Sequence, residues 1–228
     1  MSKVYWMRRF RRHFLLGSLS AALSVGIYSL LTSPDALFKM SMASAYAGLA
    51  FLSGSVILGP WNVLRNRPNP VSTDLRRDLG IWAGLLGLFH TIVGLQVHMG
   101  GRFWLYFVYP SEENRLFPIR YDPFGFANYT GLGATLILTM LLALSNDISL
   151  RRFGTTRWKS LQRWNYAGCI LVVLHGIAYQ FIEERSLWFI VFFGGMVLLA
   201  GALQYAGFQA KRLQNQHKSH AVASLLDP

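Results

Sequence analysis

Six apolar stretches dominate this sequence, and each is about 20 residues long, enough to cross the hydrocarbon core of a bilayer as a helix. They run over 14–32, 40–60, 79–99, 127–147, 164–182 and 187–208. The expected fold is an all-α membrane protein: a six-transmembrane-helix bundle over 14–210, with a basic segment over 1–13 and a polar, mobile tail over 211–228. The first apolar run follows a basic start, as a secretory signal does. It is longer than a signal core and leads into no small-x-small cleavage pattern, so it reads as the first helix.

Charge placement orients the spans. The chain is 53% hydrophobic yet carries a formal charge of +12, a combination routine for polytopic membrane proteins and rare for soluble domains. Most of the 22 basic residues fall in four segments: the N-terminus from Lys3 to Arg12, the second loop (Arg65, Arg67, Arg76, Arg77), the fourth loop (Arg151, Arg152, Arg157, Lys159, Arg163) and the tail (Lys211, Arg212, Lys218). Positive-inside placement predicts that these four face the cytoplasm, with both termini inside. Lys39, Arg102, Arg115, Arg120 and Arg185 share their loops with acids. Spread over every inner loop, the basic charge reads as topology and contact with anionic membrane lipids, and no nucleic-acid module is visible. The fourth loop reads as a connection.

Two histidines carry the chemistry. His90 and His175 lie near the middles of the third and fifth runs, about 17 to 18 Å above the inner charge boundary at 1.5 Å per residue. An unpartnered polar group at that depth costs several kcal/mol, of order 3 or more, and a metal bond offsets it. Gly80, Gly84, Gly87 and Gly94 share an arc of about 120° with His90 and His98, taking 100° per residue. That bare face suits either close helix packing or a slot for a flat macrocycle beside an axial imidazole. Across from it, Leu171, His175 and Tyr179 follow one another at helical spacing, with Gly168 one turn below. The single cysteine, Cys169, excludes a CxxCH attachment site, so any heme would be the non-covalent b type.

Other features are assigned more simply. His98 lies near the outer surface and reads as an interfacial residue close to a heme propionate, and His13 as a lipid contact at the inner surface. The run Arg102 to Pro110 is an interfacial aromatic cluster and a possible docking surface, and Arg102, Trp104, Tyr106, Arg115 and Arg120 are candidates to seat propionates and an acceptor. Pro68, Pro70 and the stretch from Asn69 to Asp74 read as a break, turn and cap before the third helix. No phosphate loop, zinc pattern or nucleophile elbow is present.

At these residues the chain resembles the ferric reductase-like transmembrane domain family. The resemblance rests on Asp74-Leu75-Arg76-Arg77-Asp78-Leu79-Gly80 leading to Phe89-His90, on Ala143 to Asp147 with Arg151-Arg152-Phe153-Gly154, and on Trp158-Lys159-Ser160-Leu161-Gln162-Arg163-Trp164 leading to Leu174-His175. It covers about residues 60–182. The resemblance implies a six-helix core with axial histidines at His90 and His175, passing electrons outward across a bacterial inner membrane. In size and lack of appended domains the chain is nearest to the members that serve as heme-binding membrane subunits of a methionine-sulfoxide reductase system. It departs from the two-heme members at Gln162 and Arg76, where they carry inner-heme histidines, so one heme is expected.

The spans use up the 228 residues, and no flavin or nicotinamide domain is expected among them. Electrons would then come from a cytosolic flavin reductase or from quinol and leave to a periplasmic redox partner, with FMN or a quinone as further candidate cofactors. The expected cofactor-binding residues are His90, His175, Gly87, Gly94, Tyr179 and His98, the first two as metal ligands. Two other readings stand beside this one: a non-redox membrane scaffold or assembly subunit that keeps the fold, and a ferric-chelate or oxygen reductase core.

Overall fold

The computed structural model describes residues 3–67 and 74–226, with side chains over 6–67 and 75–216. Among these residues it is an all-α bundle of seven α-helices: α1 Lys3–Leu30, α2 Ala36–Leu64, α3 Asp74–Val97, α4 Pro123–Leu144, α5 Asp147–Gln162, α6 Trp164–Ile182 and α7 Leu187–Leu226. Six membrane-spanning stretches result, with α5 and α6 running on from one another. The chain is a multi-pass membrane protein whose exposed apolar faces, such as Ile170, Phe181, Trp188 and Leu198, contact lipid. Pro68, Pro70 and the Asn69-to-Asp74 turn and cap lie outside the residues whose side chains are described.

Local chemistry sets most helix ends. Asp35 caps α2 by accepting from the Leu37 N–H at 2.8 Å, and Asp122 caps α4 by accepting from the Gly125 N–H at 2.6 Å, with Pro123 at the first helical position where its missing N–H costs nothing. Asn146 caps α5 by accepting from Ser149 N–H at 2.7 Å.

Two expectations about secondary structure need correction. The fourth loop is not a plain connection but α5, bent where Gly154 adopts φ 70°, and anchored by the indole of Trp158, which donates to the Leu144 carbonyl at 3.0 Å. Its apolar residues are too few and too interrupted by charge to register as a span, which is why hydropathy alone reads it as a loop. The tail is likewise helical, since α7 continues without a break to Leu226.

Helix α2 is the central post. In its most apolar stretch 61% of residues are buried, against no more than 28% in any other span. It packs on α1, α3 and α7, while α4 packs on α3 and α6. Pro60 inside α2 has no N–H to give the Val56 carbonyl, and Gln204 of α7 donates to that carbonyl at 2.8 Å instead. Gly207, one turn on, lets α7 sit directly against Pro60.

The end of the bundle that carries both termini holds a set of buried charges. Asp78, with 0% exposure, lies 2.9 Å from Arg12 Nε and 3.3 Å from His13 Nε2, and Asp147 lies 2.7 Å from Arg77 Nη1 and 3.5 Å from Arg9 Nη1. His13 is therefore a partner of a buried carboxylate rather than a lipid contact. A carboxylate inside an apolar helix must be matched, and the start of α1 supplies the match.

Candidate functional site

Small residues on both α2 and α3 let the two helices come close: a Cβ on Gly48 of α2 would sit 3.4 Å from Leu86 Cβ, and one on Gly94 of α3 would sit 3.3 Å from Ser41 Oγ. This approach puts His90 against the Ser41 peptide, with Nδ1 3.0 Å from the carbonyl and 3.2 Å from the hydroxyl. On the other side, α4 and α6 close around His175, whose Nδ1 is 2.8 Å from the Ala127 carbonyl. A carbonyl can only accept, so both rings carry their proton on Nδ1 and, when neutral, keep Nε2 as the lone-pair nitrogen. Tethering of the far nitrogen to a carbonyl is the usual support of a metal-binding imidazole.

The two ring centres are 6.0 Å apart with planes at 73°. A metal–imidazole bond of about 2 Å puts each ring centre about 3 Å from the metal, so two imidazoles across one ion stand about 6 Å apart. Both rings line a cavity of about 220 Å³ walled by α2, α3, α4 and α6. The arrangement can hold one metal ion or a metal-centred macrocycle between two helices that are not themselves closely packed.

The other sequence-picked residues divide. Gly87, Gly94, His98 and Tyr179 all line the cavity. The Tyr179 ring centre lies 4.9 Å from that of His175 with the planes tilted by 54°, and its hydroxyl donates to Asn128 Oδ1 at 2.8 Å. The glycine arc serves packing as well as space: Gly80 faces Ser55 of α2, and Gly84 and Gly87 face Leu142 and Leu138 of α4. His98 sits at the rim with Nε2 3.1 Å from Glu183 Oε1, which ties the end of α3 to the end of α6. Gly168 and Leu171 pack against Ile137 and Gly133 of α4.

Of the loop residues offered for propionates, Tyr106 alone lines the cavity among those five. Arg102 donates to Met99, Arg115 is exposed beside Glu113, and Arg120 is held by Asp122 and the Leu105 carbonyl. Their guanidinium groups are spent within the loop itself. Arg185 takes the position they leave, lining the cavity with its guanidinium over the Phe38 ring and 4.0 Å from Glu183. Burial pulls the Arg185 pKa down, and Glu183 opposes that pull.

Sequence reasoning missed Ser41, Ala127, Gly131, Gln180 and Arg185. Gly131 is the most telling, since a Cβ there would stand 2.6 Å from His175 Nδ1. Thr91 and Thr135, whose hydroxyls meet at 2.8 Å, join α3 to α4 one residue beyond His90. A small-residue stripe on α2 (Ser41, Ser44, Ala45, Gly48) was the one available signal, because it marks the face on which another helix sits closest.

Fold and site together define a multi-pass membrane protein with two tethered imidazoles facing one interior cavity. Comparisons with protein-family models, with curated proteins and with solved structures find no match to this chain.

Proposed function

We propose that this chain is a b-type heme electron-transfer subunit of the bacterial inner membrane, resembling the MsrQ (YedZ) subunits, with both termini in the cytoplasm. Electrons would come from a cytosolic flavin reductase or from quinol and leave to a periplasmic redox partner. One observation carries the reading: two half-buried imidazoles on facing helices, ring centres 6.0 Å apart, each with Nδ1 tied to a backbone carbonyl.

The donor set fits a b heme, which when bound would supply one-electron exchange at its iron. His90 and His175 would hold the iron. Ser41 and Ala127 keep the rings oriented and make Nε2 more basic by accepting from the opposite nitrogen. Met42, Leu49, Leu138 and Val172 give the cavity apolar walls, which suit the face of a macrocycle. His98 and Arg185 at the rim place donors where an anionic edge would lie. Arg76 and Gln162 do not line the cavity, in keeping with a single heme.

The test is the absorption spectrum of the purified protein, oxidised and dithionite-reduced, with pyridine hemochrome quantitation. One low-spin b heme per chain is expected, lost in both His90→Ala and His175→Ala. A protein purified without heme from heme-replete cells, a ratio near two, or a full low-spin spectrum in His175→Ala would overturn the assignment.

A further inference from the structure

Tyr106 belongs to the loop between α3 and α4, yet it is only 2% exposed. Its hydroxyl donates to the Gly94 carbonyl at 2.8 Å and accepts from the His98 N–H at 2.8 Å. Gly94 and His98 are four residues apart, so the hydroxyl stands where the last hydrogen bond of α3 would close. The helix ends at Val97, and His98 is extended with φ −105° and ψ 174°.

Through its backbone, the same tyrosine also connects to the helix of the other imidazole. Its carbonyl accepts from Asn128 Nδ2 at 3.4 Å, and Asn128 Oδ1 accepts from the Tyr179 hydroxyl at 2.8 Å. The second amide hydrogen of Asn128 goes to the Phe124 carbonyl at 2.8 Å, so the side chain is held in one orientation. Asn128 adjoins Ala127, the residue whose carbonyl accepts from His175, and Tyr179 lies one turn beyond His175. Gly94 lies one turn beyond His90. Hydrogen bonds at the two ends of Tyr106, its hydroxyl and its backbone carbonyl, thus connect the His90-bearing helix through Asn128 to the His175-bearing helix, two helices that are not closely packed.

We propose that Tyr106 and Asn128 are positioning residues for the imidazole pair: their hydrogen-bond relay fixes the spacing and mutual tilt of the turns that carry His90 and His175. The proposal rests on the heme reading for the purpose of that spacing, while the spacing itself is a property of the polypeptide. Both line the cavity, and neither hydrogen-bonds to the ring of His90 or His175. They act by holding Gly94, Ala127 and Tyr179, and buried networks of this kind lose more than one bond when a member is removed. The relay also gives the outer loop a mechanical hold on the site, since any shift of the Phe103–Tyr106 turn moves both ends.

The test uses the full chain in nanodiscs, in a Cys169→Ser background, with nitroxide labels at the exposed positions Gln96 on α3 and Phe181 on α6. Pulsed dipolar spectroscopy reads the α3–α6 distance. Tyr106→Phe, which keeps the ring and removes only the hydroxyl, and Asn128→Leu should each broaden the distribution, and the double variant should broaden it little further. Tyr179→Phe is the second, milder break. In heme-loaded protein Tyr106→Phe and Asn128→Leu should shift the low-spin EPR g values of the heme that is bound. Distance distributions that match the wild type in all variants would overturn the relay, and unchanged g values beside broadened distances would overturn its positioning role. If the wild type holds no heme, the functional reading fails and the distance measurement still decides the relay.

Discussion

Gly131 and His175 compete for the same space: a Cβ on Gly131 would stand 2.6 Å from His175 Nδ1 and 2.7 Å from its Cε1. The Nδ1–Cε1 edge of the ring lies against the bare backbone of α4, one turn from the Ala127 carbonyl that accepts from it. No rotamer of an alanine relieves this contact, because a methyl group has none.

Gly131→Ala should therefore push the imidazole off its carbonyl and away from the cavity. The expected result is a several-fold loss of bound heme, or conversion of the low-spin spectrum to high spin, with the helices intact by circular dichroism. Gly133→Ala is the control, because its Cβ would meet only Leu171 Cδ1, at 3.1 Å, and a leucine end can turn aside. Equal spectra for wild type and Gly131→Ala would contradict this account.

Asp78→Asn should cost about 3–5 kcal/mol, the usual loss when one partner of a buried ion pair is removed. Arg12 and His13 would be left facing a neutral amide in an apolar surround. Thermal unfolding in detergent reads the cost, and Asp78→Asn combined with Arg12→Gln should recover part of it. An unchanged melting temperature in the single variant would show that the pair contributes nothing.

Gln162→Ala should leave any heme spectrum unchanged, since Gln162 is not among the cavity-lining residues. Its Nε2 is buried with no hydrogen-bond partner among the described residues, so the alanine variant should be at least as stable as the wild type. Loss of the heme signal would place Gln162 in the site after all.

Reduction by an anionic flavin or acidic flavoprotein should slow as salt rises, through the exposed Arg151, Arg152 and Arg163. Arg77 belongs to a different class, being buried against Asp147, so Arg77→Gln should lower stability rather than change the salt dependence. Stopped-flow reduction across a range of ionic strength separates the two. A salt-independent rate would favour a quinol donor moving in the bilayer.

Six spans and the two central histidines were legible because hydropathy and helical repeat are local properties, readable within about 20 residues. The partners of those histidines were not. Ser41 and Ala127 act through carbonyls, which every residue has, and their meeting with His90 and His175 depends on how four helices pack. Asp78 was a missed warning, since an acid four residues into an apolar helix calls for a cation elsewhere, and Arg12 and His13 stood ready in the sequence. Arg102, Arg115 and Arg120 lie near the site by depth along the chain, but depth carries no information on how the loop uses up its own charges.

The pairing of Arg12 and His13 with Asp78 also imposes an order on biosynthesis. The ribosome delivers α1 and α2 well before Asp78 emerges, so the charged end of α1 enters the membrane surface with its partner still to be made. It must wait at the headgroups, where water and phosphate hold it, until α3 inserts and draws it inward. A fusion that pins the N-terminus away from that surface would leave the nascent bundle unclosed, whatever the state of the finished helices.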